Sequence, residues 1–320
     1  MTLPTANAVE RAAERIGPSI AKTRLIRSDA LSRDAGVEVL LKLENEQRTG
    51  SFKLRGAMNV IASLPEADRI AGVVASSAGN HGLGVAYAAK QFGIPATIFI
   101  PRTAPRVKRD GIKALGATVV DDQPHYDAAM DAAREFARER RSRFIHPCLG
   151  DDLLAGQGTV ALEVMKAVPD ASTFVVSVGG AGLLGGCAGY LRERAPSVRI
   201  IGAQSEKTAA MERSFRAGRV VEIANDPTLA DGLAGQIDQA ALEIGRAALD
   251  DIVTASEEEI GRAMLWLLDE HGLKVEGSGA AGVAAVRAGR LQPKGKTVIV
   301  VTGGNVDDDR LEQLRRSGVQ

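Results

Sequence analysis

Two hydrophobic periods alternate along this chain. Short apolar runs of strand character occur at residues 38–43, 72–76, 96–100, 117–120, 173–178, 199–203 and 297–301. Between them lie stretches whose apolar positions recur three and four apart, the spacing of a helix with one buried face. Helices are expected at residues 7–17, from Lys53 to about 64, from the turn before Gly82 to Phe92, and near 105–115 and 125–140. Others are expected at 153–168, after Gly182, at 256–268, 278–288 and 307–317. Gly17-Pro18, Pro65 and Gly93-Ile94-Pro95 stop three of them. Ser256 and Glu259 form a capping box, and Asp151 or Asp152 is the expected cap of the helix after it. This alternation predicts an α/β fold with parallel sheets covered by helices on both faces.

One stretch stands out against that pattern. In Thr49-Gly50-Ser51-Phe52-Lys53-Leu54-Arg55-Gly56 a lysine falls in the first turn of an apolar helix, with Ser51 as the expected N-cap. An amine at the edge of an apolar helix loses solvation, which favours its uncharged form and suits a nucleophilic, Schiff-base lysine. The competing reading is an ordinary lysine whose head reaches water from a helix start.

Three glycine-rich turns follow predicted strands: Ser77-Ala78-Gly79-Asn80-His81-Gly82, Gly179-Gly180-Ala181-Gly182-Leu183, and Thr302-Gly303-Gly304-Asn305. Ligands of parallel sheets collect at the carboxyl ends of strands, and N–H groups opening a helix suit an anion. The first turn, with the Ser77 hydroxyl, suits a carboxylate; the second suits a phosphate. Ala181 fits that turn if its φ is negative. The same stretch also reads as a dinucleotide fingerprint, Gly180-x-Gly182-x-x-Gly185, with Glu206 about 20 residues on. Close helix packing by small residues is a third reading.

Composition narrows the class. Zero formal net charge and 3% aromatic residues speak against nucleic acid and an anionic membrane as partners. No apolar run is long enough for a bilayer, and residues 1–10 lack a signal-peptide core. Cys148 and Cys187 have neither metal-ligand nor disulfide-framework spacing, and His125, His146 and His271 have no ligand spacing either. A cytoplasmic protein is expected.

The string Lys42-Leu-Glu-Asn-Glu-Gln-Arg-Thr-Gly-Ser-Phe52-Lys53 resembles the lysine motif of the serine/threonine dehydratase family. The other turns, in order, resemble that family's remaining motifs, as does Pro101-Arg-Thr-Ala-Pro105. The resemblance implies a fold-type II pyridoxal phosphate enzyme: two parallel-sheet α/β domains with the cofactor in the cleft between them. It implies a large domain of residues 1–62 and 147–320 and an inserted small domain of residues 63–146. By the same resemblance Lys53 carries pyridoxal 5'-phosphate, Phe52 packs near its ring, and Asn80 meets its 3-hydroxyl. Gly179, Gly180, Ala181, Gly182 and Leu183 would hold its phosphate, with Glu276 and the Thr302 hydroxyl near the ring nitrogen. The substrate carboxylate would lie on Ser77, Ala78, Gly79, Asn80 and His81, with His81 buttressing the loop. Asp231-Gly232 resembles the family's Asp-Gly turn.

The implied reaction is removal of water and ammonia from a β-hydroxy-L-amino acid (serine, threonine, 3-hydroxyaspartate or 3-phenylserine), giving a 2-oxo acid. A homodimer is expected. Similar serine racemases have a serine, the acid/base for the second face, where this chain has Ala78. A methyl group moves no proton, so elimination is expected over racemisation. Where some members hold a divalent cation, the matching position is Gln204, a weak neutral ligand, so no metal is expected there. The alternatives are a racemase or β-replacement enzyme, a nicotinamide-dependent oxidoreductase using residues 180–185, and an amino-acid-binding protein without catalysis.

Overall fold

A computed structural model describes residues 2–104, 106–224 and 226–318. The chain runs α1 (Ala6–Ile16), β1 (Leu25–Arg27), α2 (Asp29–Ala35), β2 (Val39–Leu43), α3 (Lys53–Ala62), α4 (Glu66–Ala71), β3 (Val73–Ser76), α5 (Asn80–Phe92) and β4 (Ala96–Pro101). It continues through α6 (Arg106–Ala114), β5 (Thr118–Gln123), α7 (Tyr126–Arg140), β6 (Arg143–Phe144), α8 (Asp151–Ala167), β7 (Thr173–Ser177), α9 (Gly182–Arg194) and β8 (Arg199–Ser205). The last elements are α10 (Ala210–Ala217), α11 (Gln239–Ala248), β9 (Asp251–Ala255), α12 (Glu257–His271), α13 (Gly277–Arg287), β10 (Thr297–Val301) and α14 (Asp308–Arg316).

The strands form two sheets, in the orders β1-β2-β10-β7-β8-β9 and β5-β4-β3-β6. Every pairing is parallel except β1 with β2. The strand period of two divides each core between two faces. Phe174, Val176, Val298 and Val300 pack into one buried cluster with α8 and α9. Val175, Ile299 and Val301 point the other way, against α12 and α13. The small sheet repeats the arrangement, with Ala75, Ile98 and Ile100 on one face and Val74 and Phe99 on the other. A sheet buried on both sides explains the continuous apolar runs read in the sequence. Two parallel-sheet domains result, as the resemblance implied.

Two local expectations need correction. Ser51 does not cap α3: Phe52 holds the N-cap position, without a side-chain cap bond, and the Ser51 hydroxyl is buried with no hydrogen-bond partner. Neither Asp151 nor Asp152 caps α8; Gly150 does, and both acids lie in the first turn, where they complement the helix dipole. The expected capping box at Ser256 and Glu259 is present with both of its bonds. Pro105, the last residue of the Pro101 turn and the first of an expected helix, lies outside the described residues, as does Met1.

Beneath α3 lies a buried ionic cluster that the hydrophobic pattern did not reveal. Arg55, fully buried, donates from Nε to Glu44 at 2.7 Å and from Nη1 to Glu163 at 2.8 Å and Thr159 at 3.1 Å. Lys42 donates to Glu163 at 2.6 Å and to the Thr23 carbonyl at 2.8 Å. Two cations face two carboxylates, so the cluster is neutral. It ties the lysine helix to β2 and α8.

Candidate active site

The four segments singled out in the sequence converge at the carboxyl ends of β2, β3, β7 and β10, in the cleft between the two sheets. Main-chain bonds join two of them. Phe52 N donates to Thr302 O at 3.1 Å, Ser51 and Gly303 form an antiparallel bridge, and Gly304 N donates to Gly50 O at 2.9 Å. The lysine motif and the Thr302 turn therefore form one unit.

Lys53 opens α3, and its amine donates to the Pro147 carbonyl at 2.8 Å and lies 3.8 Å from Cys148 Sγ. The Phe52 ring lies 5.3 Å from that amine, centroid to Nζ. Cys148 in turn packs on the 179–182 turn: a Cβ on Gly180 would lie 2.7 Å from its sulfur, and one on Gly182 would lie 2.9 Å from its carbonyl oxygen. These glycines are therefore demanded by the close approach of residue 148. The segment 145–148 drew notice in the sequence only through the lack of ligand spacing at His146 and Cys148, so its part in the site was missed.

Ala181 departs from its expectation. Its φ is +65°, in the left-handed region, not the negative value that would suit alanine. The turn must bring N–H groups round to the start of α9 in one step, and residue 181 absorbs that bend. An alanine there costs about 1–2 kcal/mol relative to right-handed backbone. Just before the turn, the Ser177 hydroxyl is buried without a hydrogen-bond partner. An orphaned buried donor beside the open N–H groups of a helix start fits a phosphate that would satisfy them together.

Around the 77–81 turn some polar groups are engaged, while Ser76 Oγ and His81 Nδ1 are buried without a hydrogen-bond partner. Gly79 N donates to Ser77 Oγ at 3.1 Å. Gly82 has no room for a side chain, since a Cβ would lie 2.1 Å from the Ser77 carbonyl oxygen. His81 is buried, with Nε2 3.0 Å from the Ile145 carbonyl, and its pKa is lowered to about 3, chiefly by burial and then by Lys53. It is thus a neutral buttress that ties the turn to the segment touching Lys53. His146, lowered to about 4 by burial, Arg134 and Lys53, accepts on Nδ1 from Cys148 N at 3.1 Å and Leu149 N at 2.9 Å.

Asn80 bridges the cleft. Its Nδ2 donates to Glu276 Oε1 at 2.8 Å, and its Oδ1 accepts from Asn305 Nδ2 at 2.6 Å. Glu276, at the start of α13, is only 7% exposed. Burial, with Asp231 second, pushes its pKa up to about 8, while the Asn80 bond, Lys108 and Lys53 oppose the rise. Lys108 of α6 reaches Asp231 at 3.5 Å across the cleft mouth. Thr302 is buried at the end of β10.

Two other sequence readings meet their geometry here. Gln204 is 1% exposed, and its amide is committed: Nε2 donates to the Val178 and Thr208 carbonyls, each at 2.8 Å, and Oε1 accepts from Glu212 N at 2.8 Å. Glu206, the acidic partner required by the dinucleotide reading, is exposed in the turn after β8.

A lysine, a glycine-rich turn opening a helix and a second helix start in one cleft narrow the choice. A family model described as "Pyridoxal-phosphate dependent enzyme" matches residues 16–303. The chain belongs to the pyridoxal-phosphate-dependent enzyme family. It is 44% identical to the L-threonine ammonia-lyase of Thermotoga maritima, over 93% of this chain and 75% of that protein. It is 38% identical to the catabolic L-threonine dehydratase of Staphylococcus aureus strain N315, over 100% of this chain and 95% of that one. Among solved structures it resembles maize serine racemase, with a TM-score of 0.93 and 31% identity, covering 99% of this chain and 98% of that one. The cofactor is pyridoxal phosphate and the enzyme is a lyase, which overturns the nicotinamide reading of residues 180–185. The donor set fits that cofactor: an amine, an orphaned hydroxyl beside a helix start, and a cross-cleft amide. No helix among the described residues is long and apolar enough to cross a membrane.

Proposed function

We propose that this enzyme removes water and ammonia from a β-hydroxy-L-amino acid, with L-threonine and L-serine as the leading substrates. The observation that carries this reading is the Lys53 amine, fixed on the Pro147 carbonyl between the 179–182 turn and the 77–81 turn. Bound pyridoxal phosphate supplies the electron sink that makes the α-proton acidic. Lys53 would hold the cofactor and, once freed by the substrate, would move that proton. The turn of residues 179–183, with Ser177, binds the phosphate. Ser77, Gly79 and the N–H groups opening α5 orient the substrate carboxylate, and Ala78 lines the same turn. Asn80 would meet the cofactor's phenolic oxygen, Phe52 would pack by its ring, and Glu276 and Thr302 would lie near the ring nitrogen. His81 supports the turn without exchanging a proton.

Ala78 favours elimination over racemisation, because the face opposite Lys53 then has no hydroxyl at that position to return a proton. The similarity to serine racemases supports the fold and cofactor equally well, so chiral product analysis separates the two. The test is incubation of the purified holoenzyme with L-threonine and L-serine. Release of 2-oxo acid with equimolar ammonia supports the reading; recovery of only D-amino acid, or of unchanged substrate, overturns it.

The domain boundary proposed is residues 63–146 for the small domain, supported by β3 to β6 all falling within it. We further propose a cytoplasmic homodimer, on family likeness, with light scattering after size exclusion as its test. No cation is proposed at Gln204, whose amide already bonds the carbonyls around it.

A further inference from the structure

The hydrogen-bond chain through Asn80 has a direction, and one residue sets it. A carboxamide is nearly symmetric in shape, so only its partners decide which end is oxygen and which is nitrogen. The Thr49 carbonyl can only accept. It takes a hydrogen from Asn305 Nδ2 at 2.8 Å, which fixes the inward end of Asn305 as its nitrogen. The same nitrogen gives its other hydrogen to Asn80 Oδ1 at 2.6 Å. Asn80 must then turn its own nitrogen to Glu276 Oε1, at 2.8 Å, and keeps one N–H unspent.

Glu276 could not impose this orientation by itself. Its pKa of about 8, raised chiefly by burial, keeps it protonated through neutral pH. A protonated carboxyl donates to an amide oxygen as readily as it accepts from an amide nitrogen. The backbone is shaped around the third member instead. The φ of +74° at Gly50 favours glycine, and the missing side chain leaves room for Asn305, since a Cβ there would lie 2.4 Å from Asn305 Oδ1 and push that side chain aside. Gly304 N, bonded to Gly50 O at 2.9 Å, holds the two segments together.

We infer that Asn305 is a positioning residue that orients the Asn80 carboxamide so that it offers an N–H, not a carbonyl, to the phenolic oxygen of the cofactor. This rests on the reading above that Asn80 faces that oxygen. Asn305 sits 225 residues from Asn80, and its side chain bonds Thr49 and Asn80 rather than Lys53 or the 179–183 turn.

The experiment titrates the cofactor-free protein with pyridoxal phosphate and follows the visible band, for wild type, Asn305→Ala, Asn305→Asp and Asn80→Ala. An aspartate at 305 is nearly the same size but presents only acceptors to the Thr49 and Asn80 oxygens, so it turns the Asn80 amide round. Asn305→Asp is therefore expected to weaken cofactor binding about tenfold, more than the roughly threefold expected of Asn305→Ala, which removes the cue without reversing it. Asn80→Ala is expected to weaken it about tenfold as well. If Asn305 merely fills space, Asn305→Asp binds like wild type and Asn305→Ala is the worse variant; that order overturns the inference while leaving the role of Asn80 standing. If Asn80→Ala binds like wild type, the placement of Asn80 on the cofactor is itself wrong. The Asn305 side chain is exposed, so melting temperatures of the cofactor-free variants are expected to match wild type.

Discussion

Lys53 and Pro147 are 94 residues apart in the chain, yet the lysine amine donates to the proline carbonyl at 2.8 Å. The bond joins the first turn of α3 to the segment just after β6, so two stretches far apart in the chain set the amine's position. Lys53→Ala is expected to leave the fold intact and lower turnover by about 10³-fold or more, since it removes both the attachment point and the proton carrier. Assay of 2-oxo acid, with mass spectrometry after borohydride reduction, checks both effects. Full activity, or cofactor still fixed elsewhere on the chain, would sink the assignment.

What the sequence carried and what it hid follow one rule. Features fixed by neighbours in the chain were legible: the capping box at Ser256 and Glu259, the buried run of residues 297–301, the glycine turns at strand ends. Features fixed by distant partners were not. Pro147 and Asn305 matter through bonds to Lys53 and Asn80, and nothing in their local spacing announces those bonds. Ser51 has the chemistry of a cap but sits in the bridge to Gly303, which directs its backbone elsewhere. The left-handed backbone at Ala181 was hidden too, because alanine gives no sign of it. The strand Asp251–Ala255 went unread because it lies on a sheet edge, partly exposed, so its sequence forms no continuous apolar run.

The φ of +65° at Ala181 predicts a substitution that is nearly neutral. Ala181→Gly relieves about 1–2 kcal/mol of left-handed strain. It adds about 0.4–1 kcal/mol of chain entropy to the unfolded state, and it removes a methyl buried in the core, which costs about 0.8 kcal/mol. These terms nearly cancel, so the variant is expected to lie within about 1 kcal/mol of wild type, whereas alanine to glycine in a right-handed helix would lose stability outright. Urea unfolding of the cofactor-free protein measures it; a loss of about 2 kcal/mol or more at unchanged slope refutes it.

Glu276 predicts a pH dependence. Its pKa in the folded protein, about 8, is above the ordinary value of 4.5, so the folded state holds its proton where the unfolded state has lost it. The stability linked to this proton is full below pH 4.5 and is lost as pH rises toward 8. Glutamine mimics the protonated acid at every pH. Glu276→Gln is therefore expected to unfold at nearly the wild-type urea concentration at pH 5 and to be more stable than wild type by a few kcal/mol at pH 8. Equal differences at the two pH values would show that Glu276 ionises freely in the cleft.

Arg55 tests whether the cluster under α3 serves stability or the reaction. Its guanidinium is fully buried and bonded to Glu44, Glu163 and Thr159. Methionine at 55 would fill much of the space and leave Glu44, itself fully buried, with the Thr23 hydroxyl at 2.6 Å and Lys42, its nearest remaining cation, at 3.9 Å. Breaking a buried pair from one side costs about 3–5 kcal/mol, because the remaining charge is stranded. Arg55→Met is expected to lose that much in urea unfolding. Arg55 and Lys53 share the first turn of one helix, so the loosened helix should also displace the amine. The expected signature is a fall in kcat larger than any rise in KM at a temperature where the variant is fully folded. A stability loss of that size with unchanged kcat would mean that the helix start is held by its main-chain bonds to Thr302 and Gly303 alone, and that the ionic cluster has no part in placing Lys53.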